Sequence, residues 1–256
     1  MPPDRAVFYY GIAMVKNMQM SNNQIITKIK KELAKHVDQK YKQGAKNVYK
    51  SEVRVIGAPL PIQRKIARDY YPEIKHLDKK EIYRLAEELL KTNYFEMMTI
   101  ATDWVRRQKK DFAKSDFKIF ESWMNKYINS WANCDDFCNH ILAEFIAMYP
   151  EFIKNLKQWA RSENRWLRRG AAVTLVVPGR KGEFLKDALE IAKILLKDSD
   201  DMVQKGYGWM LKEASKAHPG EIFNFIIKNK SKMPRTALRY SIEKYSPAKK
   251  ELAMQK

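Results

Sequence analysis

The chain has 256 residues, 45% of them hydrophobic, enough for one large domain or two small ones around a real core. Its 49 Lys and Arg against 30 Asp and Glu leave a net charge of +19, implying an anionic partner such as nucleic acid, an acidic membrane surface or an acidic protein. The first seventeen residues hold no sustained apolar core and no run reaches about 18 apolar residues, which excludes a secretory signal and a spanning helix and predicts a soluble, cytoplasmic protein.

Glycine (9) and proline (10) are scarce and strand-type alternation is hard to find, so helical periodicity dominates. Ile25, Ile29, Leu33 and Val37 recur every fourth residue behind Ser21, Asn22 and Asn23, which predicts a capped helix. Val53 to Pro61 then reads as a glycine- and proline-punctuated connector. Helices are predicted over 62–70, 79–91, 94–110 and 116–127, with short polar joints. Phe137, Ile141, Leu142, Phe145 and Met148 form the next apolar stripe, ended by Pro150, with Asp135 or Asp136 placed to cap its start. Helices over 151–160, 166–177 (stopped by Pro178-Gly179), 184–196, 203–217, 221–228 and 235–244 complete the chain. Joints this short make neighbouring helices antiparallel.

Residues 165–175 and 201–211 align glycine on glycine, Gly170 on Gly206, 36 positions apart, and each segment is followed by a second helix. Repeats of about 35–47 residues are the mark of HEAT-like helix pairs, with a generic all-α bundle as the alternative. Cys134 and Cys138 are the only thiols and lie one helical turn apart, with His140 nearby. A zinc site needs about three or four ligands and nothing supplies the rest, so two buried small thiols are expected, with no metal and no cofactor.

Trp131 and Asp135 also lie one turn apart, and Arg169 and Trp209 follow at roughly repeat-length intervals. Arg161, Arg165, Arg168, Arg180, Lys181 and Lys186 outnumber Glu163 and Glu183 around Arg169, and eight lysines fall between Lys28 and Lys50. Such stripes neutralise phosphates without choosing sequence; the lysine run is equally a solvated helix face. Two large rings and one carboxylate on a basic surface suit a protein that grips DNA and attacks a cationic base.

Ser130 to Asp135, Arg165 to Arg169, and Gln204 to Glu213 resemble, in that order, landmarks of the AlkD-type DNA alkylation repair proteins. Val55 to Pro59 with Gln63 to Ala67 resembles that family's glycine–proline joint and basic helix, so the likeness spans roughly residues 50–245. It departs in the Ala-Asn-Cys filling between Trp131 and Asp135 and at Pro178. The resemblance implies a right-handed α-solenoid of HEAT-like helix pairs with a concave basic groove, residues 51–256, carrying a helical extension over 1–50. It implies a monomeric, nucleoid-associated, monofunctional glycosylase that hydrolyses the N-glycosidic bond of N3- and N7-alkylated purines in duplex DNA.

Carried over by position, Asp135 is the catalytic carboxylate, Trp131 and Trp209 frame the lesion, and Arg169 holds a phosphate, with Arg168 the other candidate. Arg165, Lys205, Arg180 and Lys181 are the remaining expected DNA contacts. An alkylated purine already carries positive charge, so its departure leaves an oxocarbenium-like sugar that a carboxylate stabilises. Tryptophan faces favour the same cation. Beside these readings stand plain structural ones: Trp131 or Trp209 as core, and Asp135 as a cap with Asp136 the catalytic competitor. Trp104, Trp123, Trp159 and Trp166 are expected to be structural, with lining of the groove the alternative for Trp166, which sits within the basic stretch. The alternative functions are a non-catalytic protein that binds branched or distorted DNA, and a protein-binding scaffold.

Overall fold

The computed structural model describes residues 24–49 and 53–255. They form an all-α protein, as expected, with a single isolated β-bridge between Arg54 and Tyr94 among the described residues. Two compact units divide at Val105/Arg106, within the fifth helix, whereas the sequence reading drew its boundary at residue 50.

The first unit opens with α1 (24–35), which buries Ile25, Ile29 and Leu33. Its expected cap at Ser21 to Asn23 lies outside the described residues. Helix α2 (Gln39–Tyr49) follows, and Asp38 N–H donates to the Gly57 carbonyl at 2.9 Å, tying the N-terminal helices to the connector. Within that connector Gly57 takes φ 117°, a conformation that favours glycine, and its face packs on Lys42 and Val37. Glu96, fully buried, accepts from the Ile56 and Gly57 amides at 3.0 and 2.7 Å. These bonds satisfy backbone donors that no ladder reaches. Pro59 then caps α3 (Leu60–Tyr70) and Pro61 sits in its first turn, where a missing N–H costs nothing. A capping box, Asp78 with Glu81, starts α4 (Lys79–Lys91). Trp104, in α5 (Phe95–Arg107), is buried and donates to the Ala67 carbonyl at 2.9 Å, so its role is structural as expected.

The second unit is built on an aromatic core of Phe112, Phe117, Phe120, Trp123, Phe137 and Phe145, with ring centroids about 5–6 Å apart. Helix α6 (Asp116–Lys126) contributes three of these rings. The next rod differs from the sequence reading. It starts at Trp131, not Phe137: α7 (Trp131–Phe137) runs through a π turn at Cys138–Leu142 into α8 (Ala143–Met148). Ser130 is the N-cap, accepting from the Asn133 amide at 3.2 Å, so neither Asp135 nor Asp136 caps a helix. The π turn puts the stripe ahead of it out of phase with the stripe behind it, which hid the true start.

Helices α9 (Ile153–Trp159), α10 (Arg165–Val173), α11 (Val176–Arg180), α12 (Leu185–Ile194), α13 (Asp201–Ala214), α14 (Pro219–Asn229), α15 (Arg235–Ser241) and α16 (Pro247–Met254) complete the unit. Pro178 does not stop the preceding helix; α10 has already ended at Val173, and Pro178 lies in the first turn of α11. Helices α7, α10, α13 and α15 pack in that order as one row, and α9, α12 and α14 back onto it. The row repeats: its N-caps stand at Ser130, Asn164, Asp200 and Pro234, at intervals of 34, 36 and 34. The aligned glycines do equivalent work. A Cβ on Gly170 would sit 2.7 Å from Met124 Cε and 3.3 Å from Cys138 Sγ, and one on Gly206 would sit 3.2 Å from Arg169 Cγ. Each lets its helix close on the preceding part of the row.

Candidate active site

Ser130 fixes the first turn of α7, which sets Trp131 at its start and Asp135 one turn on. Trp131 is half-buried. The Asp135 side chain keeps 15% of its surface exposed and receives a two-pronged bond from Arg169: Nε donates to Oδ1 and Nη2 to Oδ2, both at 2.8 Å. Arg169 Nη1 donates in turn to the Met202 carbonyl at the start of α13. Met202, Gly206 and Trp209 stand at i, i+4 and i+7, one face of α13. Gly206 leaves room for the stem of Arg169, and Trp209, two turns beyond Met202, is half-buried. The carboxylate of α7, the guanidinium of α10 and the backbone of α13 thus form one chain of bonds across three helices.

Burial pushes the Asp135 carboxyl above the usual aspartate value, and the charge and hydrogen bonds of Arg169 pull it back part of the way. Burial works against the charge on Arg169, but Asp135 more than offsets it and holds the guanidinium protonated. A fork bond uses two of the roughly four acceptor positions of an ionised carboxylate, so each oxygen retains a lone pair for water or substrate.

Arg169, expected to hold a phosphate, is engaged inside the protein. It is 5% exposed, and all three of its nitrogens donate to Asp135 or to the Met202 carbonyl. The reason is physical: a carboxylate this buried needs a partner, and the nearest guanidinium supplies it. Most of the other expected DNA contacts are also engaged. Arg168 binds Asp198 at 2.7 Å and the Ser162 and Glu163 carbonyls. Arg165 binds Asp200 at 2.9 Å and lies over the Trp166 ring. Arg180 binds Glu213 at 2.6 Å while half its side chain stays exposed, and Lys205 binds Asp201 at 3.0 Å. Lys181 is exposed. Arg165, Arg168 and Arg180 reach carboxylates 30–35 residues further on, so they staple one repeat to the next.

Ser130, the Met202 carbonyl and the seat at Gly206 escaped the sequence reading as site components. Gly206 alone left a signal, its alignment with Gly170. Cys134 and Cys138 are buried with their sulfurs 3.9 Å apart, and burial pushes the Cys134 thiol well up, which favours its protonated form. His140, within the π turn, lies 3.6 Å from Asp136. Among the described residues no three His, Cys, Asp or Glu side chains gather as a metal site, and no helix is long and apolar enough to cross a membrane.

Comparison with known proteins places the chain. A solved structure described as a predicted DNA alkylation repair enzyme from Enterococcus faecalis superposes with a TM-score of 0.74 at 15% identity, covering 83% of this chain and 98% of that one, and so shares the fold. An alkylpurine DNA glycosylase, AlkC of Pseudomonas fluorescens, bound to DNA containing an abasic-site analogue, matches at a TM-score of 0.47 and 15% identity over 88% of this chain and 63% of that one. No curated protein sequence matches. The sequence model described as DNA alkylation repair enzyme covers residues 29–245, nearly the whole of both units, and on that extent the chain belongs to the DNA alkylation repair enzyme family.

Proposed function

We propose that the protein is an AlkD-type DNA glycosylase that releases N3- and N7-alkylated purines from duplex DNA by hydrolysis. The observation that carries this reading is Asp135: a carboxylate held by a fork bond, mostly buried yet open at its edge, with half-buried Trp131 one turn before it in α7 and half-buried Trp209 on the α13 face that also carries Met202 and Gly206.

The alkylated base leaves with the bonding electron pair, which neutralises its positive charge, and the sugar becomes cationic at C1′. A carboxylate about 4 Å from that cation is worth about 4 kcal/mol at an effective dielectric of ~20, roughly a thousandfold in rate. Water then adds to C1′ and gives up a proton, for which the spare lone pairs of Asp135 are placed to accept a hydrogen bond. Arg169 orients the carboxylate and keeps it ionised. Trp131 and Trp209 offer ring faces to the cation, an attraction of about 0.5–2 kcal/mol. The product is an abasic site in an intact strand. The large positive charge supplies affinity for phosphates without base choice.

A second reading draws on the same fork bond: Asp135–Arg169 acts only as a staple between repeats, in a protein that binds distorted DNA without cutting a bond. Incubation with a duplex containing 7-methylguanine separates the two. Glycosylase action liberates free base from wild type and not from Asp135→Asn; tight binding of branched DNA with no base released supports the staple.

A further inference from the structure

Tyr94 in the first unit carries two cations. Arg54 Cζ lies 4.3 Å from its ring centroid and Lys30 Nζ 4.9 Å. Both are fixed by their backbones. Val53 and Val55 are buried on either side of Arg54, so strand-like alternation turns its side chain outward. Arg54 N–H donates to the Asn93 carbonyl at 3.0 Å and its carbonyl accepts from Phe95 N–H at 2.9 Å, locking it beside Tyr94. Lys30 follows Ile29, which is fully buried in the body of α1.

Four other cations of this unit have carboxylate partners: Lys28 with Glu73, Lys35 with Glu32, Lys65 with Asp69 and Lys91 with Glu88. Among the described residues no carboxylate lies within ion-pair distance of Lys30 or Arg54, and both are exposed. Two like charges held over one ring, with no counter-charge, form a pre-built seat for an external anion. The ring removes much of the side-chain freedom that a phosphate contact would otherwise have to freeze.

We infer that Lys30, Arg54 and Tyr94 form an anchor for the phosphodiester backbone of duplex DNA, separate from the Asp135 site. The inference rests on the DNA-binding part of the reading above. It is tested with the full chain and an undamaged fluorescent duplex, by the slope of log Kobs against log salt concentration. Each phosphate contact contributes about 0.9 to that slope. Lys30→Ala/Arg54→Ala should make it shallower by about 0.9 if the pair shares one phosphate and about 1.8 if each takes its own. Tyr94→Phe, which keeps the ring, should leave it unchanged. Lys65→Ala/Lys91→Ala removes the same charge from paired cations and should also leave it unchanged. Single-turnover base release at saturating protein should be the same in wild type and Lys65→Ala/Lys91→Ala. An unaltered slope in Lys30→Ala/Arg54→Ala, or an equal loss in the control pair, overturns the anchor while leaving the glycosylase reading intact. Wild type that binds DNA without salt dependence overturns both.

Discussion

Replacing Asp135 by Asn keeps the size of the side chain and removes its charge. Two consequences follow from the geometry, and they are separable. The amide can offer the Arg169 fork only one acceptor oxygen in place of two, and it turns an NH2 group toward a guanidinium that is 5% exposed. Leaving one member of a buried pair uncompensated costs about 3–5 kcal/mol. At about 2–4 °C per kcal/mol for a chain of this size, Tm should fall by roughly 6–20 °C. The chemical loss is a different quantity, about a thousandfold in the single-turnover rate of base release, from the vanished attraction between carboxylate and sugar cation. A double variant divides them. Asp135→Leu/Arg169→Met exchanges the pair for apolar groups, which is often neutral or stabilising for a buried pair, so Tm should recover most of the loss while base release stays absent. The assay is release of 7-methylguanine from a labelled duplex at saturating protein, with Tm read by circular dichroism. Asp135→Asn retaining release within tenfold of wild type would refute the electrostatic argument, and so would recovery of activity in the double variant.

Three further outcomes are expected. Because burial raises the Asp135 carboxyl, which must be ionised to act, base release should decline as pH falls through a value above the usual aspartate range; an acid limb at or below the ordinary value contradicts the assigned environment. Gly208→Ala places a Cβ 2.7 Å from Tyr240 Cβ and 2.8 Å from the Ala237 carbonyl, where backbone must move, and should cost about 1–3 kcal/mol in urea unfolding despite alanine's better helix propensity. Glu96→Ala orphans the Ile56 and Gly57 amides, each worth about 1–3 kcal/mol, so the first unit should lose hydrogen-exchange protection before the second; uniform loss across both units counts against this view.

The helical class was legible because apolar spacing is a local property, and helices such as α4, with its Asp78–Glu81 box, start where the side chains say they do. The repeat was legible at Gly170 and Gly206 because close approach of two helices demands a missing side chain, which sequence displays. Trp131 and Asp135 stood out for the same reason, being one turn apart. What stayed hidden depended on partners distant in the chain. Arg169 looks like any arginine in a basic stretch until Asp135, 34 residues earlier, and the Met202 carbonyl, 33 later, are brought to it. Arg168 and Arg180 are alike in this, since Asp198 and Glu213 pair with charge that composition counts as available. Where α7 begins was obscured by its own irregularity: Asn133, Cys134 and Asp135 are indifferent helix formers.

The π turn at Cys138–Leu142 governs the aim of the carboxylate. A π turn holds about one residue more than an α turn, so excising one residue from it would restore uninterrupted α-helix and leave the faces on either side pointing nearly as they do now. A second deletion would find no such slack: with Ile141, Leu142 and Phe145 embedded, it would turn Trp131 and Asp135 by about 100° about the axis. The aim of the proposed reactive group is therefore buffered against the loss of one backbone unit downstream of it and undefended against the loss of two.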